Sequence, residues 1–218
     1  MSDIFREVDE DLRRDQAVDI WKKYGPIFLG IAAVIVAGTA LYRVYVHFET
    51  QKAEVLGGRY QAALELSRSG KNEEAAKEFT AIASDGGAGY GILARFRAAA
   101  ELQLKDKPAA AAQFDALAND PSIGPLLQGL ARLRAATVLA DTASLEDLKK
   151  RLEPLLPQGS AWGPNARELI GLATLKAGDL EAAGKIFDEI MIDPASPPSL
   201  KQRVEVYLAL VKSGSKAP

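Results

Sequence analysis

The run Tyr24–Tyr42, YGPIFLGIAAVIVAGTALY, constrains this chain most: 19 consecutive residues carry no charge, between Lys22-Lys23 and Arg43. As a helix it is about 28 Å long, close to the ~30 Å hydrocarbon core of a bilayer. A core helix of a globular domain usually keeps a polar stripe, and no turn of this run has a charged face. A cleavable signal peptide has a short basic region, roughly 7–15 apolar residues and small residues at a cleavage site. Here 23 highly charged residues come first, and Tyr42, Tyr45 and Phe48 close the run. The sequence therefore predicts an uncleaved single-pass anchor over 24–48. Trp21 and Tyr24 suit one headgroup layer, and Tyr42, Tyr45 and Phe48 the other. Lys22 and Lys23 flank one end, and Arg43 can snorkel outward at the other. Pro26 fits a first helical turn, where its missing N–H costs nothing.

Orientation follows from the basic residues beside the run. Positions 4–23 carry Arg6, Arg13, Arg14, Lys22 and Lys23, whereas the 20 residues from Arg43 carry Arg43, Lys52 and Arg59. The positive-inside rule then puts the N-terminus in the cytoplasm and about 170 residues outside.

Composition narrows what the outer part does. With 27 basic and 29 acidic residues the formal net charge is −2. A nucleic-acid binder is usually basic, so none is expected as a partner. The absence of cysteine removes disulfides, thiol catalysis and thiolate metal ligands.

Residues 1–23 read as an amphipathic cytoplasmic segment, with Ile4, Phe5, Val8 and Leu12 on one side and Asp9 to Asp15 supplying charge. It is either a surface helix or a docking handle for a cytoplasmic partner. Within the span, Ala33 and Ala37 with Gly30 and Gly38 allow another helix to approach closely, and a homo-oligomer stays open. Residues 49–58 read as a helical linker, with a joint at Gly57-Gly58. Residues 59–213 form the main domain, and 214–218 a disordered tail.

The main domain repeats itself. Arg59, Arg95, Arg132 and Arg167 open similar segments, 36, 37 and 35 residues apart. Phe79, Phe114, Leu152 and Phe187 follow them, 35, 38 and 35 apart. Turn signals divide each unit at Gly70-Lys71-Asn72, Lys105 to Pro108, Asp141 to Ser144 and Gly178-Asp179. Alanine-rich segments with apolar residues every three or four positions predict an all-α fold. A period near 34 with this content resembles tetratricopeptide repeats, which implies about four antiparallel helix pairs stacked as an α-solenoid. Small residues (Ala63, Ala99, Ala136, Gly171) would admit a neighbouring helix, and the bulky set would fill the gaps. The third unit departs most, with Leu148 and Leu152 in place of alanine and phenylalanine. A final helix from Ser199 to about Val211, opened by a Ser199–Gln202 capping box, would cover the open end.

Chemistry-bearing residues are sparse. His47 is the only histidine and lies at the edge of the span, so the usual donors for a metal or a catalytic triad are missing. The glycines of Asp85 to Gly91 do not follow a dinucleotide-binding spacing, and the loop reads as a joint between units. The expectation is a protein without enzyme activity and without a cofactor. The candidate partner-binding residues are Arg59, Arg95, Arg132 and Arg167, with Arg97 and Arg134. They either pack against acids of neighbouring helices or line a concave face that takes carboxylates of a bound polypeptide. Tyr60, Tyr90 and Trp162 either add apolar grip there or belong to the core.

The opening MSDIFREVDEDLRRDQAVDIWKKYGP, the single span and the loop DGGAGYGILARFRAA together resemble the YfgM-type family, over nearly the whole chain. That resemblance implies an ancillary subunit of the bacterial SecYEG translocon in the inner membrane. It implies a periplasmic repeat domain, a PpiD-type peptidyl-prolyl isomerase nearby, and periplasmic chaperones as further partners. It supplies no catalytic residues. An assembly scaffold for a cell-wall or respiratory complex is the alternative for the same architecture.

Overall fold

The computed structural model describes residues 2–214, with side chains from Trp21 onward apart from Ala88. The side chains of the expected apolar face, Ile4, Phe5, Val8 and Leu12, lie outside what is described, as do residues 215–218 of the expected tail. The described chain is helical and contains no strand. It divides into two compact parts, Met1–Glu54 and Val55–Pro218.

The first part belongs to helix α1, Ser2–Arg68. Its side chains from Ile27 to Phe48 are exposed, Val34 at 72% and Leu41 at 72% among them. That is the opposite of a core helix, and α1 is long and apolar enough to cross a membrane. Because α1 already begins at Ser2, Pro26 lies in its interior and not in a first turn. Its missing N–H leaves the Lys22 carbonyl without the usual intrahelical donor, a cost a first-turn proline avoids. The Lys23 ammonium stands 5.4 Å over the Tyr24 ring.

The second part begins with the end of α1 and continues through α2 (Asn72–Asp85), α3 (Ile92–Leu102), α4 (Lys107–Ala118), α5 (Gly124–Leu139), α6 (Leu145–Leu152), α7 (Gly163–Lys176), α8 (Leu180–Ile192) and α9 (Pro198–Ser213). The turns predicted within each unit separate α1 from α2, α3 from α4, α5 from α6 and α7 from α8. Gly70 and Gly178 take φ of 78° and 90° there, a left-handed backbone that glycine adopts without strain. Asp106, Ser144 and Asp179 cap α4, α6 and α8 by accepting from the amides of Ala109, Asp147 and Ala182.

The residue types seen in the repeat do the packing. Phe79, Phe114, Leu152 and Phe187 are all at most 2% exposed, and Ala63, Ala99 and Ala136 are fully buried. Around each lies one apolar cluster, so four successive cores run through the domain. Leu148 and Leu152 fill their core as alanine and phenylalanine do elsewhere. Helix α9 closes the last one with Leu200 and Val204.

Besides Pro26, two expectations need correction. Gly57-Gly58 is not a joint, because α1 runs through both residues. A Cβ on Gly57 would lie 2.9 Å from the Tyr90 hydroxyl at the tip of that side chain. The glycine-rich loop lies between the first and second units, as expected, and is a π-helical turn, Gly87–Gly91, leading directly into α3. A Cβ on Gly86 would meet the Gly91 amide nitrogen at 2.5 Å, so the turn closes on bare backbone. Helix α9 starts at Pro198 behind Pro197, with no side-chain cap. Proline at the first helical position pre-sets φ, and Ser199 is already inside the helix.

Candidate protein-binding surface

In an antiparallel pair, the first helix starts where the second one ends. An arginine where the first helix enters the pair therefore meets residues at the close of the second. Arg59 in α1 donates to Asp85 at 2.8 Å and lies 3.8 Å from Glu78. Arg95 in α3 donates to Asp120 at 2.5 Å, just beyond α4. Arg167 in α7 donates to Asp193 at 3.1 Å and to the Leu156 carbonyl at 3.3 Å, with Glu189 at 3.9 Å. The sequence separations of the close pairs are 26, 25 and 26. Three of the four aligned arginines thus tie the ends of their own helix pair.

The Arg95 pair is the most built. The Asp120 carboxylate accepts from the Ser122 hydroxyl at 2.6 Å and the Ser122 amide at 2.9 Å, besides Arg95. The Ser122 hydroxyl first, then the Arg95 guanidinium, lower its pKa to about 2, since each bond favours the ionised form.

Arg132 breaks the pattern. The positions 25 and 26 residues on are Pro157 and Gln158, neither of them an acid. Among the described residues Arg132 has no ion-pair partner, although it is half-buried. It lines a groove of ≈ 470 Å³ with Leu139, Ala143, Asp147, Lys150 and Arg151. Arg151 pairs with Asp115 of α4. Asp147 accepts a hydrogen bond from the Ser144 hydroxyl at 2.6 Å.

The remaining candidates divide by exposure. Arg97 and Arg134 project into solvent. Tyr60 packs edge-on against Phe79, with centroids 5.3 Å apart, and against Tyr90 at 5.6 Å. Trp162 packs on the third core and donates its indole N–H to the Leu126 carbonyl at 2.8 Å. The aromatic candidates therefore sit against cores, while Arg97 and Arg134 face solvent. At the span, Trp21, Tyr42 and Arg43 are exposed, as are Lys22 and Lys23. His47 shares a hydrogen bond with Gln51 at 3.2 Å. Among the described residues no cluster of three or more His, Cys, Asp or Glu is placed to hold a metal ion.

Several partners escaped the reading of the sequence: Asp85, Asp120 and Asp193 as counter-ions, and Lys150 and Arg151 beside Arg132. A signal for the first three was present in the constant 25–26 residue separation. A second clip, from Arg203 of α9 to Glu168 of α7 through bonds of 2.8 and 2.9 Å, had no repeat to announce it.

A family model for the tetratricopeptide repeat-like domain matches residues 19–206. No curated protein and no solved structure matches the chain.

Proposed function

This chain belongs to the tetratricopeptide repeat-like domain family, and from that premise we propose that it is a membrane-anchored scaffold that binds other proteins and has no catalytic activity of its own. The partner class follows from the family, whose stacked helix pairs present extended surfaces to polypeptides. The finer reading is an ancillary subunit of the SecYEG translocon. In it the N-terminus is cytoplasmic, the repeat domain is periplasmic, and a PpiD-type isomerase and chaperones are neighbours. The YfgM-type resemblance of the opening segment, the span and the Asp85 loop supports it.

One observation carries the scaffold reading: a single helix, α1, holds both the exposed, uncharged run and the first helix of the repeat domain. An exposed apolar surface of that length needs a lipid environment or a partner. Crosslinking in intact membranes, followed by mass spectrometry of the linked peptides, tests the partner. The expected products join the repeat domain to the Sec channel. Links confined to cell-wall or respiratory complexes would transfer the scaffold to that setting. A compartment-sensitive reporter at the C-terminus should be active only outside the cytoplasm.

A further inference from the structure

The third helix pair lacks the acids that the first one uses. Arg59 faces Glu78, 19 residues on, and Asp85, 26 on. At the same separations from Arg132 stand Arg151 and Gln158. One acid has become a second guanidinium and the other an amide. Arg151 reaches instead to Asp115 of the preceding pair, and Asp147 is engaged by Ser144. Arg132 and Lys150 thus share a groove with one carboxylate, the exposed Asp147, that forms no ion pair with either, so the lining keeps an excess of positive charge.

A guanidinium cannot shed its proton at any relevant pH. Half-buried beside a like charge and without a counter-ion, it is a strong recruiter of an outside oxyanion. Its planar fork matches two oxygens of one group, which favours a carboxylate held in bidentate fashion. The other units show that a carboxylate is the group this fold seats beside the aligned arginine. Leu139 and Ala143 add an apolar wall able to hold the aliphatic part of a side chain.

We propose that the groove between α5 and α6 is a carboxylate-binding site. In it an Asp or Glu side chain, or the C-terminal carboxylate, of a bound polypeptide pairs with Arg132 in place of the missing internal acid. This deepens the scaffold reading and rests on it for the class of partner.

The test uses the full-length protein in detergent micelles and fluorescein-labelled peptides, read by anisotropy. One peptide carries acidic side chains and a free C-terminus, a second has that C-terminus amidated, and a third has Asn and Gln in place of its acids. Loss of binding on amidation assigns the terminal carboxylate, and loss in the third peptide assigns the side chains. Arg132→Gln should weaken the acidic peptide on the order of tenfold, the scale of one charge-assisted hydrogen bond. Arg132→Lys should restore only part of it, since it keeps the charge and loses the fork. Lys212→Gln, which removes an equal charge from an exposed position of α9, should change nothing. Circular dichroism and the melting temperature report whether each variant is folded. Equal binding by Arg132→Gln and the parent would overturn the site, and so would equal affinity for a fourth peptide that is both amidated and without acids. Displacement by inorganic phosphate at the peptide's own concentration would overturn the choice of carboxylate. Crosslinks to the Sec channel that survive in Arg132→Gln, together with unchanged peptide binding, would sink this site and leave the scaffold reading standing.

Discussion

The ring of Phe187 occupies the space in which Gly171 would carry a side chain. A Cβ on Gly171 would lie 2.5 Å from Cε1 of that ring and 3.0 Å from Cδ1. The first three units place alanine at this position, fully buried in each case. The fourth has closed further, and α7 and α8 approach so tightly that only a bare Cα fits.

Gly171→Ala sets two effects against each other. Alanine is favoured over glycine inside a helix by about 1 kcal/mol. Overpacking a filled core costs typically ~1–3 kcal/mol. Phe187 is fully buried, so its ring has nowhere to retreat and the second effect wins. Chemical unfolding of the full chain in detergent should show a net loss of stability. Ala136→Gly should also lose stability, for the opposite reason: a small cavity and a freer backbone. A stabilised Gly171→Ala would mean the ring moves aside at little cost.

Asp120 gives the domain a pH-dependent lock. The Ser122 hydroxyl and the Arg95 guanidinium hold its folded pKa at about 2, below the ordinary value of 3.8. A depressed carboxylate pKa stabilises the fold above the unfolded pKa, and that contribution fades as pH falls through the folded one. The stabilisation is therefore complete above about pH 4 and is lost between about pH 4 and pH 2. Asp120→Asn should melt below the parent near neutrality, with the gap closing across that interval. A gap independent of pH would show that the carboxylate's charge is irrelevant.

Legibility in the sequence followed the strength of the periodic signal. The 35-to-38 residue spacing of Phe79, Phe114, Leu152 and Phe187 places each in its own core, since a buried side chain has one face to occupy and a repeat multiplies the signal. The Gly57-Gly58 joint was misread because glycine has two uses. It loosens a helix, and it lets a neighbour approach; only the position of Tyr90 decides between them. Pro26 was misread because the segment before it and the span were read as two helices, whereas α1 runs unbroken from Ser2 to Arg68. The counter-ions of the arginines lie about 26 residues away, beyond any local rule, and Arg203–Glu168 joins helices 35 residues apart with no second copy for comparison.

That Arg203–Glu168 pair fastens the final helix. The guanidinium grips both carboxylate oxygens, and the Glu168 side chain is 13% exposed against 48% for Arg203. A partly exposed pair contributes at most ~1 kcal/mol to global stability, but its effect is local. Arg203→Lys keeps the charge and loses the two-pronged geometry. Amide hydrogen exchange should then quicken in α9, while the cores of the first three units keep their protection. Unchanged protection in α9 would leave Leu200 and Val204 as its whole attachment.

The last relationship tests how the first pair is joined to the second. Glu101 is buried at 7% exposure and accepts a hydrogen bond of 2.6 Å from the Ser67 hydroxyl, 34 residues before it. No salt bridge accompanies it among the described residues. A buried acceptor stripped of its donor bears its desolvation cost uncompensated, about 1–3 kcal/mol and more for a charged group. Ser67→Ala should therefore destabilise the domain by on the order of 1–3 kcal/mol, far beyond the loss of one oxygen atom. The double variant Ser67→Ala, Glu101→Leu removes both polar partners and should recover most of the deficit, because two apolar groups leave nothing unsatisfied. The cycle is read by chemical denaturation of the full-length protein. Additive losses in the double variant would show that Glu101 is hydrated in solution and that Ser67 is not its principal partner.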